Sequence, residues 1–148
     1  MTSVPLARPP ADAQTLRTWE LTSTSDLRPM RAEIARILER SADEALSGTP
    51  TQAGLVLVSS ELATNALLHA APPARVTLKT TPDLYVLEVA DNAPEATPQI
   101  AHARGLGEGG FGLVLACQLA SSLGWYALPT RKHVWATFPR RNSAPAST

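Results

Sequence analysis

The chain contains little that would point to a disulfide scaffold, a membrane protein or a nucleic-acid binder. Its one cysteine, Cys117, excludes an internal disulfide and any metal site made of several cysteines. Its 13 basic residues balance 13 acidic ones, so there is no charge excess to attract nucleic acid or an anionic membrane. No apolar run approaches the roughly 20 residues of a membrane helix, and the sequence does not open on a secretion signal. We therefore expect a cytoplasmic protein without direct nucleic-acid or membrane partners.

What the chain does contain is enough for one folded domain. With 148 residues, 44% of them hydrophobic, it is long enough to bury a hydrophobic core without the help of disulfides or structural metals. Residues 1–16 are rich in Pro, Ala and Thr and show no apolar period, which predicts a mobile, disordered tail. The periodic segments predict a domain over residues 17–138, followed by a polar tail over residues 139–148.

The order of the predicted elements indicates an α+β fold. Apolar residues at helical spacing predict helices, and alternating polar and apolar residues predict strands. The helices are expected at residues 26–44 (capped by Ser25), 51–70 and 111–123 (closed by Gly124), and the strands at residues 17–22, 75–80, 84–90, 125–128 and 133–138. Short connections join the last four strands into two hairpins. We therefore predict a two-layer sandwich, a mostly antiparallel mixed sheet with its helices on one face.

The predicted central helix carries polar side chains beside its apolar stripe. At about 100° per residue, Glu61 and Asn65 lie one turn apart on the flank of the stripe, and His69 lies a turn further along and closer to the core face. The stripe consists of Leu55, Val58, Leu62 and Ala66. Polar groups at such a border either keep their tips in water or line the wall of a pocket, and the helix alone is consistent with both.

A glycine-rich segment without any period follows the first hairpin. It spans residues 91–110, and loops of about 20 residues inside a compact domain are usually lids, binding loops or disordered. Five of the chain's eight glycines lie in residues 105–112, directly before a predicted helix. Backbone amides and the helix dipole at that place favour an anion such as a phosphate chain, although a linker or a turn fits equally well. The G-x-G-x-x-G match is not a dinucleotide fingerprint, because no strand directly precedes it.

Asp91 ends the second strand of the first hairpin. A side chain there can point into the space between the sheet and the helices, where a buried carboxylate needs hydrogen-bond donors. The sequence Asp-Asn-Ala-Pro over residues 91–94 is also an ordinary turn, a common role for Asp.

In combination, these motifs resemble the GHKL (histidine-kinase-like) ATPase superfamily. The similarity is greatest to the anti-sigma-factor serine kinases and their actinobacterial relatives. Residues 61–70, ELATNALLHA, resemble the N box of that family, residues 109–116, GGFGLVLA, resemble its second Gly box, and residues 134–136, VWA, resemble its closing strand. The resemblance covers residues 19–138.

The resemblance implies a Bergerat ATP-binding fold and an ATP- and Mg²⁺-dependent serine/threonine kinase. By this resemblance, Asn65 would ligate Mg²⁺, Glu61 would be the catalytic general base for a serine hydroxyl of the partner, and Asp91 would hold the adenine amino group. The remaining residues expected at the nucleotide are His69, Ala93, Gly107, Gly109, Gly110, Phe111, Gly112 and Leu113.

The family also implies partners. Its members phosphorylate a STAS-type anti-anti-sigma protein, bind a sigma factor and often form homodimers, which suggests transcription regulation by partner switching. Three positions depart from the family pattern: Ala93 replaces a usual Gly or Ser, Phe111 a frequent Arg, and His133 a common Thr. These departures leave open a non-catalytic, anti-sigma-like binding module of the same fold with weak or no nucleotide binding.

Overall fold

The domain is built on one antiparallel sheet of five strands. The computed structural model describes residues 2–40, 50–95, 99–100, 114, 116 and 118–140. Its elements in chain order are β1 (Thr2–Ser3), β2 (Gln14–Leu21), α1 (Leu27–Arg40), α2 (Pro50–His69), β3 (Ala74–Thr80), β4 (Leu84–Asp91), β5 (Gln99–Ile100), β6 (Ser122–Ala127) and β7 (Lys132–Pro139). The strand order is β2-β3-β4-β7-β6, and every neighbouring pair is antiparallel.

The hydrophobic core lies between α1 and α2 and one face of this sheet. Successive side chains of a strand point to opposite faces, and in β4 the core receives Tyr85, Leu87 and Val89. The apolar stripe predicted for the central helix is buried, with Leu55 and Val58 fully so. The predicted α+β two-layer sandwich, with helices on one face, is therefore confirmed.

The predicted element boundaries shift by a few residues. The first strand begins at Gln14 rather than at Arg17, and α1 begins at Leu27 after a short 3₁₀ turn whose N-cap is Ser23, not the expected Ser25. The Asp26 carboxylate accepts hydrogen bonds from the backbone N–H groups of Thr22 and Ser23, which satisfies donors at this helix start. The part of the first predicted helix after residue 40 lies outside the described residues.

The third predicted helix ends earlier than expected. Val114, Ala116, Gln118 and Leu119 are helical, but β6 begins at Ser122 and includes Gly124, which was expected to close the helix. The Ser122 hydroxyl forms a hydrogen bond with Thr137 Oγ1 of β7, which holds this segment in the sheet. A Cβ at Gly124 would lie 2.5 Å from Trp135 Cζ2, so glycine is required by the indole packed against it.

The first residues pack on the domain, which differs from the mobile tail expected from their composition. Val4 is 3% exposed within the hydrophobic core, and Leu6 forms a parallel β-bridge with Trp125 at the outer edge of the sheet. At the other end of the domain, the Arg140 guanidinium donates to the Thr80 hydroxyl. Residues 141–148, most of the predicted polar tail, lie outside the described residues.

No helix in the described part of the chain is both long enough and apolar enough to cross a membrane.

Candidate functional site

Two of the predicted site residues lie on one flank of α2. Glu61 and Asn65 are half-buried at the border of the core stripe, one helical turn apart, as the sequence predicted. His69, which was expected nearer the core face, is exposed in the last turn of the helix. The flank therefore presents one carboxylate and one amide from the same helix, and both side chains are only partly covered.

The chain that leaves the glycine-rich segment packs on this same flank. A Cβ at Gly54 would lie 3.5 Å from Leu119 Cδ1, and Gly54 precedes Glu61 by seven residues, two turns of helix on nearly the same face. Ala116, on the same short helical stretch as Leu119, is fully buried in the core. A segment a few residues beyond the glycine-rich stretch is therefore anchored on this flank, two turns before Glu61 and about three turns before Asn65.

Asp91 points to the helix side of the sheet. It ends β4 in the same alternation as Leu87 and Val89, which contact the core, and it is only 8% exposed. The side-chain amide of the next residue, Asn92, donates to the carbonyl oxygen of Ala71 at 2.8 Å, just beyond the end of α2. This bond brings the end of β4 to the C-terminal end of the helix that carries Glu61 and Asn65.

Both oxygens of the Asp91 carboxylate have partners within the chain. Oδ1 accepts the backbone N–H of Ala93 at 2.9 Å, and Oδ2 lies 3.3 Å from Nζ of Lys132. The turn interpretation of Asp91 is therefore correct, and it coexists with a buried position. Because a carboxylate offers about four lone-pair sites, both oxygens keep capacity for one more donor, such as an amino group of a ligand.

Lys132 is the site-lining residue that sequence reasoning missed. It is directly opposite Asp91 in the pairing of β4 with β7, and its side chain is 12% exposed. The pairing of the two predicted hairpins could not be read from either hairpin alone, so no local signal identified this contact. Its ammonium offsets the Asp91 charge on the helix side of the sheet.

Six of the predicted nucleotide-contacting residues belong to the glycine-rich stretch and its immediate continuation. Gly107, Gly109, Gly110, Phe111, Gly112 and Leu113 lie outside the described residues. Within the described ranges, no group of three His, Cys, Asp or Glu side chains could hold a metal ion by itself. The Asn65 amide oxygen suits Mg²⁺ as one ligand among others, since Mg²⁺ usually keeps waters and takes further oxygens from phosphates.

A second polar cluster lies on the opposite face of the sheet. Glu88 alternates with Leu87 and Val89, so it points away from the helices, and it is only 5% exposed. Its carboxylate accepts hydrogen bonds from the Tyr126 hydroxyl and from Nδ1 of His133, which lies 2.6 Å from Oε2. His133, one of the three departures from the family pattern, therefore contacts Glu88 and faces away from Asp91.

The surroundings of Glu88 stabilise its carboxylate in the charged form. Burial raises the pKa of Glu88, but hydrogen bonds from His133 and Tyr126 and the charge of Lys79, whose Nζ is 3.1 Å from Oε1, lower the pKa to about 2. Burial and the Glu88 carboxylate raise the pKa of Tyr126. The Tyr126 and His133 rings stack 7° from parallel, with centroids 4.6 Å apart. This network fixes β4, β6 and β7 together on the outer face.

A comparison of the chain with curated proteins finds no match. The model of the histidine kinase-like ATPase domain family, in contrast, matches residues 22–138, which are most of the chain. The match includes both long helices and every strand of the main sheet except β2 and the last residue of β7. The antiparallel sheet, the central helix with Glu61 and Asn65, and the buried Asp91 at the end of β4 fit that assignment. The chain belongs to the histidine kinase-like ATPase domain family.

Proposed function

We propose that the protein is an ATP- and Mg²⁺-dependent protein-serine kinase that acts as an anti-sigma factor in a partner-switching system. It phosphorylates a STAS-type anti-anti-sigma protein, binds a sigma factor and forms a homodimer. The observation that supports this best is the shared flank of α2. Glu61 and Asn65 project from this flank, the segment after the glycine-rich residues packs on it two turns earlier at Gly54, and Asp91 lies at the C-terminal end of the same helix.

Each side chain has a role that its surroundings allow. Asp91, buried and fixed by Ala93 and Lys132, accepts the adenine amino group with its remaining lone pairs. The Asn65 amide oxygen contributes a ligand to Mg²⁺, which when bound neutralises charge on the phosphates. These two contacts orient the nucleotide along α2, with its adenine at Asp91 and its phosphates at Asn65.

Glu61 is suited to accept the proton of the attacking serine hydroxyl. In the part of the chain that the structure describes, its carboxylate makes no hydrogen bond or ion pair, in contrast to Asp91 and Glu88. An acceptor with free lone pairs on a rigid helix can bind a serine hydroxyl at about 2.6–3.2 Å, the reach a general base needs. The position of Glu61 one turn from Asn65 sets this base beside the metal-bound phosphates.

Calorimetry with Mg-ATP tests the nucleotide part of the proposal. We expect the wild-type chain to bind at micromolar affinity and the Asp91→Ala variant to lose at least about tenfold, because a buried acceptor of the adenine amino group is lost. Asp83→Ala, an exposed Asp in the turn before β4, is the matched control and should bind like the wild type. Equal affinity of all three proteins would contradict the assigned role of Asp91.

A non-catalytic binding module of the same fold is the second candidate. It is favoured by the fact that Ala93 N–H and Lys132 Nζ already engage both oxygens of Asp91, a self-contained arrangement that needs no nucleotide. The module would sequester its partner without phosphoryl transfer. Incubation of the wild type with labelled ATP and the cognate STAS partner separates the candidates, because only the kinase places label on a partner serine.

A further inference from the structure

The first residues of the chain are fixed to the outer edge of the sheet. The Ala7 N–H donates to the Trp125 carbonyl at 2.9 Å, and the Trp125 N–H donates to the Pro5 carbonyl at 3.0 Å, so residues 5–7 add a short parallel strand to β6. The indole Nε1–H of Trp135 donates to the Ala7 carbonyl at 2.8 Å. Three hydrogen bonds, one to Pro5 and two to Ala7, thus hold this segment against the sheet.

Side chains on either side of this contact strengthen it. Val4 is 3% exposed within the core, and the Arg8 guanidinium lies 4.3 Å from the centroid of the Tyr126 ring. The Tyr126 hydroxyl in turn donates to Glu88, so Arg8 packs against the Glu88 cluster on the outer face of the sheet. The segment crosses the edge of the sheet from its helix side at Val4 to its outer face at Arg8.

The other end of the segment contacts the chain that leads into the glycine-rich residues. β1 pairs antiparallel with β5, with Thr2 opposite Ile100 and Ser3 opposite Gln99. Gln99 follows Asp91 by eight residues, and Ile100 precedes Gly105 by five. Residues 2–8, which we call the N-terminal strap, therefore join the β6 edge to the connection between Asp91 and the glycines.

We propose that the N-terminal strap fixes β5, which lies between Asp91 and the glycine-rich residues in the sequence, and thereby strengthens nucleotide binding. The inference rests on the proposed ATP site and adds to it a structural element that precedes the family match, which begins at residue 22. Because the strap is anchored at one end by the core and β6, its pairing with β5 restricts the backbone of residues 99–100 before any ligand arrives. Preorganisation of this kind lowers the entropy cost of binding.

A proline pair tests the strap with little disturbance of the domain. In an antiparallel ladder only alternate residues donate to the partner strand, so Thr2→Pro combined with Ser3→Pro removes whichever amide donates to β5. The matched control is Thr2→Ala with Ser3→Ala, which keeps both amides. Neither pair alters residues 4–8, so the anchor on β6 stays intact. The measurements are Mg-ATP affinity by calorimetry, amide hydrogen exchange at Gln99 and Ile100, and thermal unfolding.

The expected result has two parts. Exchange accelerates in the proline pair only, at whichever of Gln99 and Ile100 donates its amide to β1. The dissociation constant of this variant for Mg-ATP rises at least about fivefold, the effect of roughly one backbone hydrogen bond. Faster exchange with unchanged affinity overturns the coupling, and unchanged exchange overturns the pairing itself. A wild-type chain that binds no Mg-ATP overturns the proposed ATP site and the coupling together. An alanine pair that weakens binding as much as the proline pair also overturns the coupling.

Discussion

His133 Nδ1 lies 2.6 Å from Glu88 Oε2 on the face of the sheet that the helices do not cover. The two residues are contributed by neighbouring strands, β4 and β7, and the Tyr126 hydroxyl of β6 donates to the same carboxylate. A buried acid with several donors is stabilised in its charged form. The outer face thus carries an ionic network separate from the candidate nucleotide site, and the network makes stability depend on pH.

We predict that Glu88 stabilises the fold near neutral pH and loses this effect in acid. Its pKa is about 2 in the folded chain against an ordinary value of 4.5, so its contribution is present above about pH 4.5 and is lost as pH falls toward 2. The contribution is on the order of 2–3 kcal/mol. Urea unfolding of the wild type and of Glu88→Gln at pH 7, 4 and 2.5 measures it, since the difference between the two proteins should shrink with falling pH.

Glu20→Gln is the control for this pH series. Glu20 also forms an ion pair, with Arg75 at 3.0 Å, but its side chain is 54% exposed, and such surface pairs contribute little. We expect a nearly pH-independent free energy difference for this variant. A Glu88→Gln difference that stays constant from pH 7 to pH 2.5 would show that the network does not hold the charged form.

We predict that alanine substitutions at Gly124 and Gly54 change the free energy of unfolding in opposite directions. In Gly124→Ala the new methyl would lie 2.5 Å from Trp135 Cζ2 inside the sheet, and this overpacking should lower the free energy of unfolding by about 1–3 kcal/mol. In Gly54→Ala the methyl meets Leu119 at an ordinary 3.5 Å inside α2, where alanine is favoured over glycine by up to about 1 kcal/mol. Urea unfolding of both variants gives the comparison, and a destabilisation of the same size at both positions would contradict the packing argument.

Gly124 also shows where sequence patterns misled. Leu119, Ala120 and Leu123 continue a helical spacing, so the pattern predicted a helix through Leu123 with a glycine cap. The hydroxyls of Ser121 and Ser122 instead bond to Thr137 of a strand that follows in sequence, and Leu123 pairs with Ala136 in the sheet. Contacts between segments far apart in sequence decided the structure, and a local pattern does not contain them.

The central helix and the hairpins, in contrast, could be predicted because their signals are local. The apolar stripe of α2 and the alternation in β3 and β4 need no knowledge of distant partners. The pairing of Asp91 with Lys132, the burial of Glu88 and the docking of Val4 depend on which hairpins and segments meet. The sequence therefore indicated which acid ends β4 but not which cation balances it.

We predict that Lys132 and Asp91 stabilise the fold as a pair. Lys132→Met leaves a nearly buried carboxylate without its cation and should cost about 1–3 kcal/mol of unfolding free energy. The same substitution in an Asp91→Asn background should cost clearly less, because no charge is left unbalanced. A double-mutant cycle from urea unfolding gives the coupling energy. Additive costs would show that the 3.3 Å contact contributes nothing to stability.

We predict that Glu61→Gln separates nucleotide binding from phosphoryl transfer. The amide keeps the size and the helical position of the side chain but cannot accept the serine proton, so transfer of label to a STAS partner should fall by about 10²–10⁴-fold. Mg-ATP affinity, measured by calorimetry, should stay within about twofold, because binding depends on Asp91 and Asn65. Glu39→Gln, an exposed residue of α1, is the matched control and should transfer label like the wild type. A Glu61→Gln protein that phosphorylates its partner at the wild-type rate would show that another group, or the substrate itself, takes up the proton.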